Sequence, residues 1–166
     1  MENITISCLS KAELWLFTTT LVYFLMNGAQ IFETLVFVPK WTDSPPNNFK
    51  LLLDGQGTGL KTFWIVFHSI HEITFILAIV FCWEIELIRH WLLILFAIHF
   101  AVRIWTVSYF APNIIRFQKI AETQSKEENL LSKASVWQKL NYLRVSIFMA
   151  LSIGFIPLCI YLFKLG

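Results

Sequence analysis

Charge is scarce in this chain. Asp, Glu, Lys and Arg make up 14% of its 166 residues, against ~25% in an ordinary soluble domain. The net charge is only +2, and no basic patch is interleaved with aromatics, which argues against a nucleic-acid partner. Cysteine is nearly absent: Cys8, Cys82 and Cys159 are the only three. No C-x-x-C pair exists among them, which argues against a membrane thiol oxidoreductase. All three fall toward one predicted side of the membrane, so a Cys82–Cys159 bridge and inert buried thiols are both open readings. No internal repeat is evident.

What the chain has instead is apolar length. Hydrophobic residues are 57% of it, gathered into four runs at roughly 14–38, 62–83, 90–111 and 139–163. A spanning helix needs about 20 mostly apolar residues, and each run supplies them. The sequence therefore predicts an all-α fold, a four-helix transmembrane bundle forming a single integral membrane domain in contact with the lipid bilayer. The first run is too long for a signal peptide and has no small-residue cleavage site after it. Trp15, Trp41, Trp64, Trp83, Trp91 and Trp137 fall near predicted span ends, as interfacial belts require, while Trp105 lies deeper. Lys40, Lys50, Lys61, Arg116, Lys119, Lys126, Lys133 and Lys139 share one side, against Lys11, Arg89 and Lys164 on the other. The positive-inside rule then predicts a multi-pass protein with both termini on the extracytoplasmic side.

The loops carry little chemistry. Gly55, Gly57 and Gly59 ahead of Lys61-Thr62 resemble a phosphate loop. Leu60 stands where the glycine before Lys is required and no strand precedes, so the run reads as a hinge. The stretch between Asn48 and Asp54 suits a short interfacial helix. Ile114, Ile115, Phe117 and Ile120 predict that the third span continues as an amphipathic helix past the membrane. Gln124–Asn129 reads as a solvated charge run. Asn3-Ile-Thr5 matches a glycosylation acceptor, a pattern short enough to arise by chance. Gly154 and Pro157 predict close packing and a kink in the fourth span.

The informative residues are those set into the apolar runs. Glu33, His68, His71, Glu72, His99, Arg103 and Arg144 are ionisable, and Asn27, Gln30 and Asn141 accompany them. A charged side chain at mid-bilayer costs ~2.5–3.5 kcal/mol on insertion scales, so such residues face the bundle interior and mark function by default. At a rise of ~1.5 Å per residue they all fall in one half of the bilayer, whichever way the bundle is inserted. Facing agrees. His68, His71 and Glu72 share an arc. His99, Arg103 and Thr106 form a stripe, as do Thr20, Tyr23, Asn27, Gln30 and Thr34. Trp137, Asn141, Arg144 and Phe148 align on the fourth span.

Four readings of this constellation compete. The two carboxylates Glu33 and Glu72 and the two guanidinium groups Arg103 and Arg144 could be salt bridges that hold a non-catalytic binding or assembly subunit together. His68 and Glu72, one turn apart, could be acid and base on a hydrophobic small molecule, with Arg103 and Arg144 as anion stabilisers. In that case Asn27, Gln30, Glu33, His71, His99, Asn113, Trp137 and Asn141 would bind substrate. Glu33, His68, Glu72 and His99 could instead hold a metal, although no Glu-x-x-His pair is present and the arginines oppose a cation. The fourth reading is a pocket that holds a lipid, quinone or pigment head group without turnover. No cofactor motif is evident, and a homo-oligomer is compatible with the sequence.

Pro112-Asn113 followed by Arg116, Trp137 with Asn141 and Arg144 set as W-x-x-x-N-x-x-R, and Gly28 with Pro39 after an aromatic-rich stretch resemble the anthrone-oxygenase-like family of small four-helix membrane proteins. Most of its members are of unknown function. The resemblance spans most of the chain and implies an oxygenase-like activity on an aromatic or isoprenoid molecule, without an evident bound cofactor. The His68-x-x-x-Glu72 pair is more similar to the His and Glu pair of the emopamil-binding sterol isomerases.

Overall fold

The computed structural model describes residues 6–53, 60–125 and 127–165, with side chains from Leu9 onward and none at Leu60. The glycine run at 55–59, the Asn3 triplet and Lys126 lie outside the described residues, as does the side chain of Cys8. The fold is all-α. α1 (Ile6–Phe32) passes through a wide turn at Glu33–Phe37 into α2 (Val38–Thr42). A short 3-10 turn at Asn47–Leu52 follows, where the sequence predicts a short helix. α3 (Leu60–Phe81) returns. α4 (Glu86–Trp105) passes through a second wide turn at Thr106–Phe110 into α5 (Ala111–Thr123), and α6 (Leu130–Phe163) completes the bundle. The third span thus continues as predicted. α6 starts well before the expected 139, because Leu130 and Ala134 find a buried seat against α5.

Four of these rods are long and apolar enough to cross a membrane: Leu9–Thr42, Lys61–Phe81, Glu86–Thr123 and Leu130–Phe163. Their outward faces are apolar and their inward faces are not. Phe17, Phe24, Ile73, Val80, Ile98, Ile104, Ile153 and Ile160 are exposed, whereas Thr19, Asn27, Gln30, His71, His99, Asn141 and Ser152 are buried. Water would reject so large an apolar surface, and hydrocarbon demands it. The chain is a multi-pass helical membrane protein. Its rods pack in an up-down ring: α1 against α3 and α6, α4 against α6 and α3.

Two apolar cores divide the bundle along its length. The proximal core, at the end where α1 begins, includes Leu16, Met26, Phe75, Ile88, Leu92, Phe148 and Phe155. The distal core, at the end where α2, the 3-10 turn and α5 meet, is built on Val38, Trp41, Phe49, Phe110, Phe117, Ile120 and Trp137. Trp41 is only 1% exposed, so it is a core residue and not a member of an interfacial belt.

The two wide turns have one cause. Each precedes a proline, Pro39 or Pro112, within the sequence Phe-x-Pro. A proline inside a helix lacks an N–H and collides with the carbonyl four residues back. Here the helix widens by one residue. The Val38 N–H bonds the Glu33 carbonyl and the Ala111 N–H bonds the Thr106 carbonyl, each five residues back. Such bulges occur often at functional sites, and both of these flank the cavity described below. α6, by contrast, runs unbroken from Leu130 to Phe163 through Pro157.

Gly154 supports the expected close packing. A Cβ placed there would meet Leu95 Cδ2 at 3.0 Å, across the α4–α6 contact. Alanine requires only a small shift of the flexible Leu95 side chain, while a β-branched residue requires more. Gly154→Val is expected to lose about 1–3 kcal/mol of stability, and Gly154→Ala markedly less, in thermal unfolding in detergent micelles. Equal stability of the two variants would show that α4 and α6 do not pack this tightly.

At the distal end, Glu127 pairs with Lys133 and with Arg116, whose Nε lies 3.1 Å from Oε2. These partners, Lys133 first, hold its carboxyl below the usual range. The charge run read as merely solvated therefore staples α5 to the start of α6.

Candidate functional site

Where the two cores meet, a polar band crosses the bundle. Its buried part is a hydrogen-bonded chain. Arg103 Nε donates to Glu72 Oε1 at 3.0 Å, and His99 Nε2 lies 2.8 Å from the same oxygen. A carboxylate only accepts, so His99 carries its proton on Nε2. Its Nδ1 then accepts from the Tyr23 hydroxyl, 3.0 Å away. α1, α3 and α4 thus each contribute a member. His99 and Arg103 fall on one face of α4 because they are four residues apart. Tyr23 belongs to the first-span stripe, but nothing in the sequence singles it out as the group that fixes His99.

His71 sits beside this chain, fully buried, its ring 4.3 Å from that of Tyr23 and 4.8 Å from that of His99 between centroids. Neither of its nitrogens has a hydrogen-bond partner among the described residues. His71, Glu72 and His99 bring possible ligand atoms within 4.8 Å of one another. To grip a cation, His99 would have to give up Tyr23 or Glu72, and Arg103 on the same carboxylate opposes the charge. The metal set suggested by the sequence differs, since Glu33 and His68 lie apart from this cluster on the wall of a cavity.

That cavity, about 400 Å³, adjoins the band on its distal side. Ligand sites run ~300–1,000 Å³, so the space suits a small molecule. Its polar wall is Gln30, Glu33, Lys61, His68, Arg103, Thr106, Gln118, Asn141 and Arg144. Its apolar wall includes Phe37, Trp41, Trp64, Phe110, Trp137 and Phe148. The two wide turns bring Glu33 and Phe37 to one side and Thr106 and Phe110 to the other.

Arg144 is the most constrained cation here. Its Nη2 donates to Asn141 Oδ1 at 2.6 Å, and its guanidinium carbon stands 4.3 Å from the Phe110 ring centroid. Asn141 in turn donates to Thr34 Oγ1 at 3.0 Å. Among the described residues, no carboxylate lies within ion-pair distance of Arg144. Glu33 stands near it, beside the Trp64 indole, so the second of the two expected salt bridges does not form. His68 stacks on Trp64, with ring centroids 5.4 Å apart, and no hydrogen bond joins it to Glu72.

Other expected site residues take different places. Asn27 turns to α6, where its amide donates to the Phe148 carbonyl and to Ser152 Oγ, each at 3.0 Å. Asn113 donates to the Tyr109 carbonyl at 2.7 Å within its own helix and does not line the cavity. Trp137 donates its indole N–H to the Phe110 carbonyl at 3.4 Å, steadying the second wide turn. Cys159 is a free thiol with Sγ 3.3 Å from Thr20 Oγ1, so no Cys82–Cys159 bridge forms.

The chain matches no known protein family, no curated protein and no solved structure in comparison with each. The resemblance to the anthrone-oxygenase-like family therefore stands on its short motifs alone.

Proposed function

We propose that the cavity binds the polar end of a hydrophobic small molecule drawn from the bilayer, and that His68 moves a proton on it. The observation that carries this reading is the cavity wall. An imidazole whose buried Nδ1 has no hydrogen-bond partner among the described residues and two guanidinium groups face the same 400 Å³ space, against aromatic rings. An imidazole can accept a proton at one nitrogen and return it to a neighbouring ligand atom. Negative charge left on a ligand oxygen would be stabilised by Arg103 and Arg144, held in place before the reaction. Glu72 is then a positioning residue: with its Oε1 shared by His99 and Arg103, it aims Arg103, and the acid–base role falls to His68. Proton transfer of this kind yields an isomerisation with these side chains alone. Oxidation, the chemistry implied by the family resemblance, would begin with the same proton abstraction.

Native mass spectrometry of the protein purified in mild detergent tests the binding step. A stoichiometric small-molecule adduct is expected, lost in Arg103→Ala. For the chemical step, conversion of the released molecule is expected to fall about 100-fold or more in His68→Ala, with the adduct retained. Unchanged conversion would remove His68 from the mechanism, and a bare protein mass under gentle conditions would overturn the binding reading.

A further inference from the structure

We infer that the molecule held in the cavity is an amphiphilic monoanion whose charged head meets Arg144 and whose apolar body leaves sideways between α3 and α5. The inference rests on the reading of the cavity as a binding site and adds the ligand's charge and its route.

The charge follows from the wall. Among the described residues, Lys61, Arg103 and Arg144 are its cations and Glu33 its one carboxylate. Arg103 is already neutralised from behind by Glu72. Lys61 and Arg144 then face Glu33 alone among the described residues, which leaves one positive charge in excess there. The excess lies where it is most expensive, because Arg144 has a neutral amide and an aromatic face as its contacts and its Nε has no partner. A buried cation whose nearest carboxylate stands beyond ion-pair distance, and is shared with a second cation, is incompletely compensated. A carboxylate, phenolate or phosphodiester oxygen would supply that charge and accept the open N–H groups, the strongest kind of hydrogen bond available.

The route follows from the rim. Ile65 on α3 and Ile115 on α5 both line the cavity, yet they are 58% and 63% exposed. The cavity therefore opens through the side of the bundle between these helices, through an apolar gap continuous with the lipid-facing surface. Lys61, also exposed on the wall, stands near the start of α3, at the depth where lipid head groups lie. An anionic amphiphile is attracted at that depth and keeps its apolar body in contact with acyl chains as its head moves inward.

The experiment uses the full chain in phosphatidylcholine nanodiscs, whose lipid carries no net charge. Trp41, Trp64 and Trp137 on the cavity wall make energy transfer from tryptophan to a conjugated polyene a direct occupancy signal. Parinaric acid and its uncharged alcohol are titrated in parallel. Saturable transfer to the acid at pH 8 is expected, with the alcohol at least about tenfold weaker. Arg144→Gln should abolish the discrimination, and Arg144→Lys should restore part of it. Ile65→Trp, which touches only the rim, should slow association of the acid with little loss of stability. Equal saturable binding of acid and alcohol, unaffected by Arg144→Gln, would overturn the monoanion inference and leave the cavity reading intact. Absence of saturable transfer to either probe would overturn both. Displacement of the acid by phosphatidylglycerol in the disc would support the inference and identify a bilayer phospholipid as the source of the anion. Failure of phosphatidylglycerol to displace it would support a free hydrophobic acid.

Discussion

Glu72→Ala is expected to destabilise the protein by about 2–3 kcal/mol in detergent micelles, more than any other single change in the polar band. One carboxylate oxygen serves two donors here, Arg103 Nε at 3.0 Å and His99 Nε2 at 2.8 Å. Removing it strands a guanidinium and a fully buried imidazole together. Breaking a fully buried pair costs ~3–5 kcal/mol. The figure is lower here because the side chains of Glu72 and Arg103 keep 28% and 21% of their exposure. Glu72→Gln retains an acceptor oxygen and should lose less. The decisive comparison is a double-mutant cycle. Replacing both partners, as Glu72→Leu with Arg103→Leu, removes the uncompensated charge, so the double variant should be more stable than the sum of the singles predicts. A coupling below about 0.5 kcal/mol would mean that the two residues act independently and that Glu72 does not position Arg103.

The difference between this network and the sequence expectation is instructive. His68 and Glu72 are one turn apart and invite pairing, and Glu33 with Arg144 completes an apparent second bridge. Spacing within a helix fixes which residues share a face, so the inward stripes and the meeting of four helices at one depth were legible. Spacing cannot say which neighbour on another helix wins a carboxylate. His99 and Arg103 win Glu72 because α4 carries both on the face turned toward α3. The wide turns were less legible still. A regular period of about 100° per residue fails when one residue is inserted, so everything beyond Glu33 and Thr106 is turned by about that angle. This is why Trp41, which looks interfacial from its place near the end of a run, is buried, and why Asn113 is directed away from the cavity it was expected to line. The prolines were visible, but their consequence for facing depends on how the helix relieves the clash, and both helices here do so by widening.

Trp41→Ala should have the largest effect on stability of any single truncation, about 3–5 kcal/mol. Trp41 stands where α2, the 3-10 turn, α5 and α6 meet. Its ring centroid lies 4.9 Å from that of Trp137 on α6, 5.8 Å from that of Phe117 on α5 and 6.0 Å from that of Phe49 on the 3-10 turn. It also forms part of the cavity wall. Truncation would remove a large buried ring and leave a void continuous with the cavity, and neighbours fixed by proline-bounded helices have little freedom to close it. The loss should be localised, because the proximal core around Phe155 makes no use of Trp41. Hydrogen exchange is therefore expected to rise in Asn47–Leu52 and Ala111–Thr123 while α3 near Phe75 stays protected. Trp41→Phe, which keeps an aromatic face toward Trp137, should recover at least half of the stability. If Trp41→Ala costs less than about 1 kcal/mol, or if exchange rises evenly through both cores, the distal core is not an independent packing unit and the cavity wall does not depend on it.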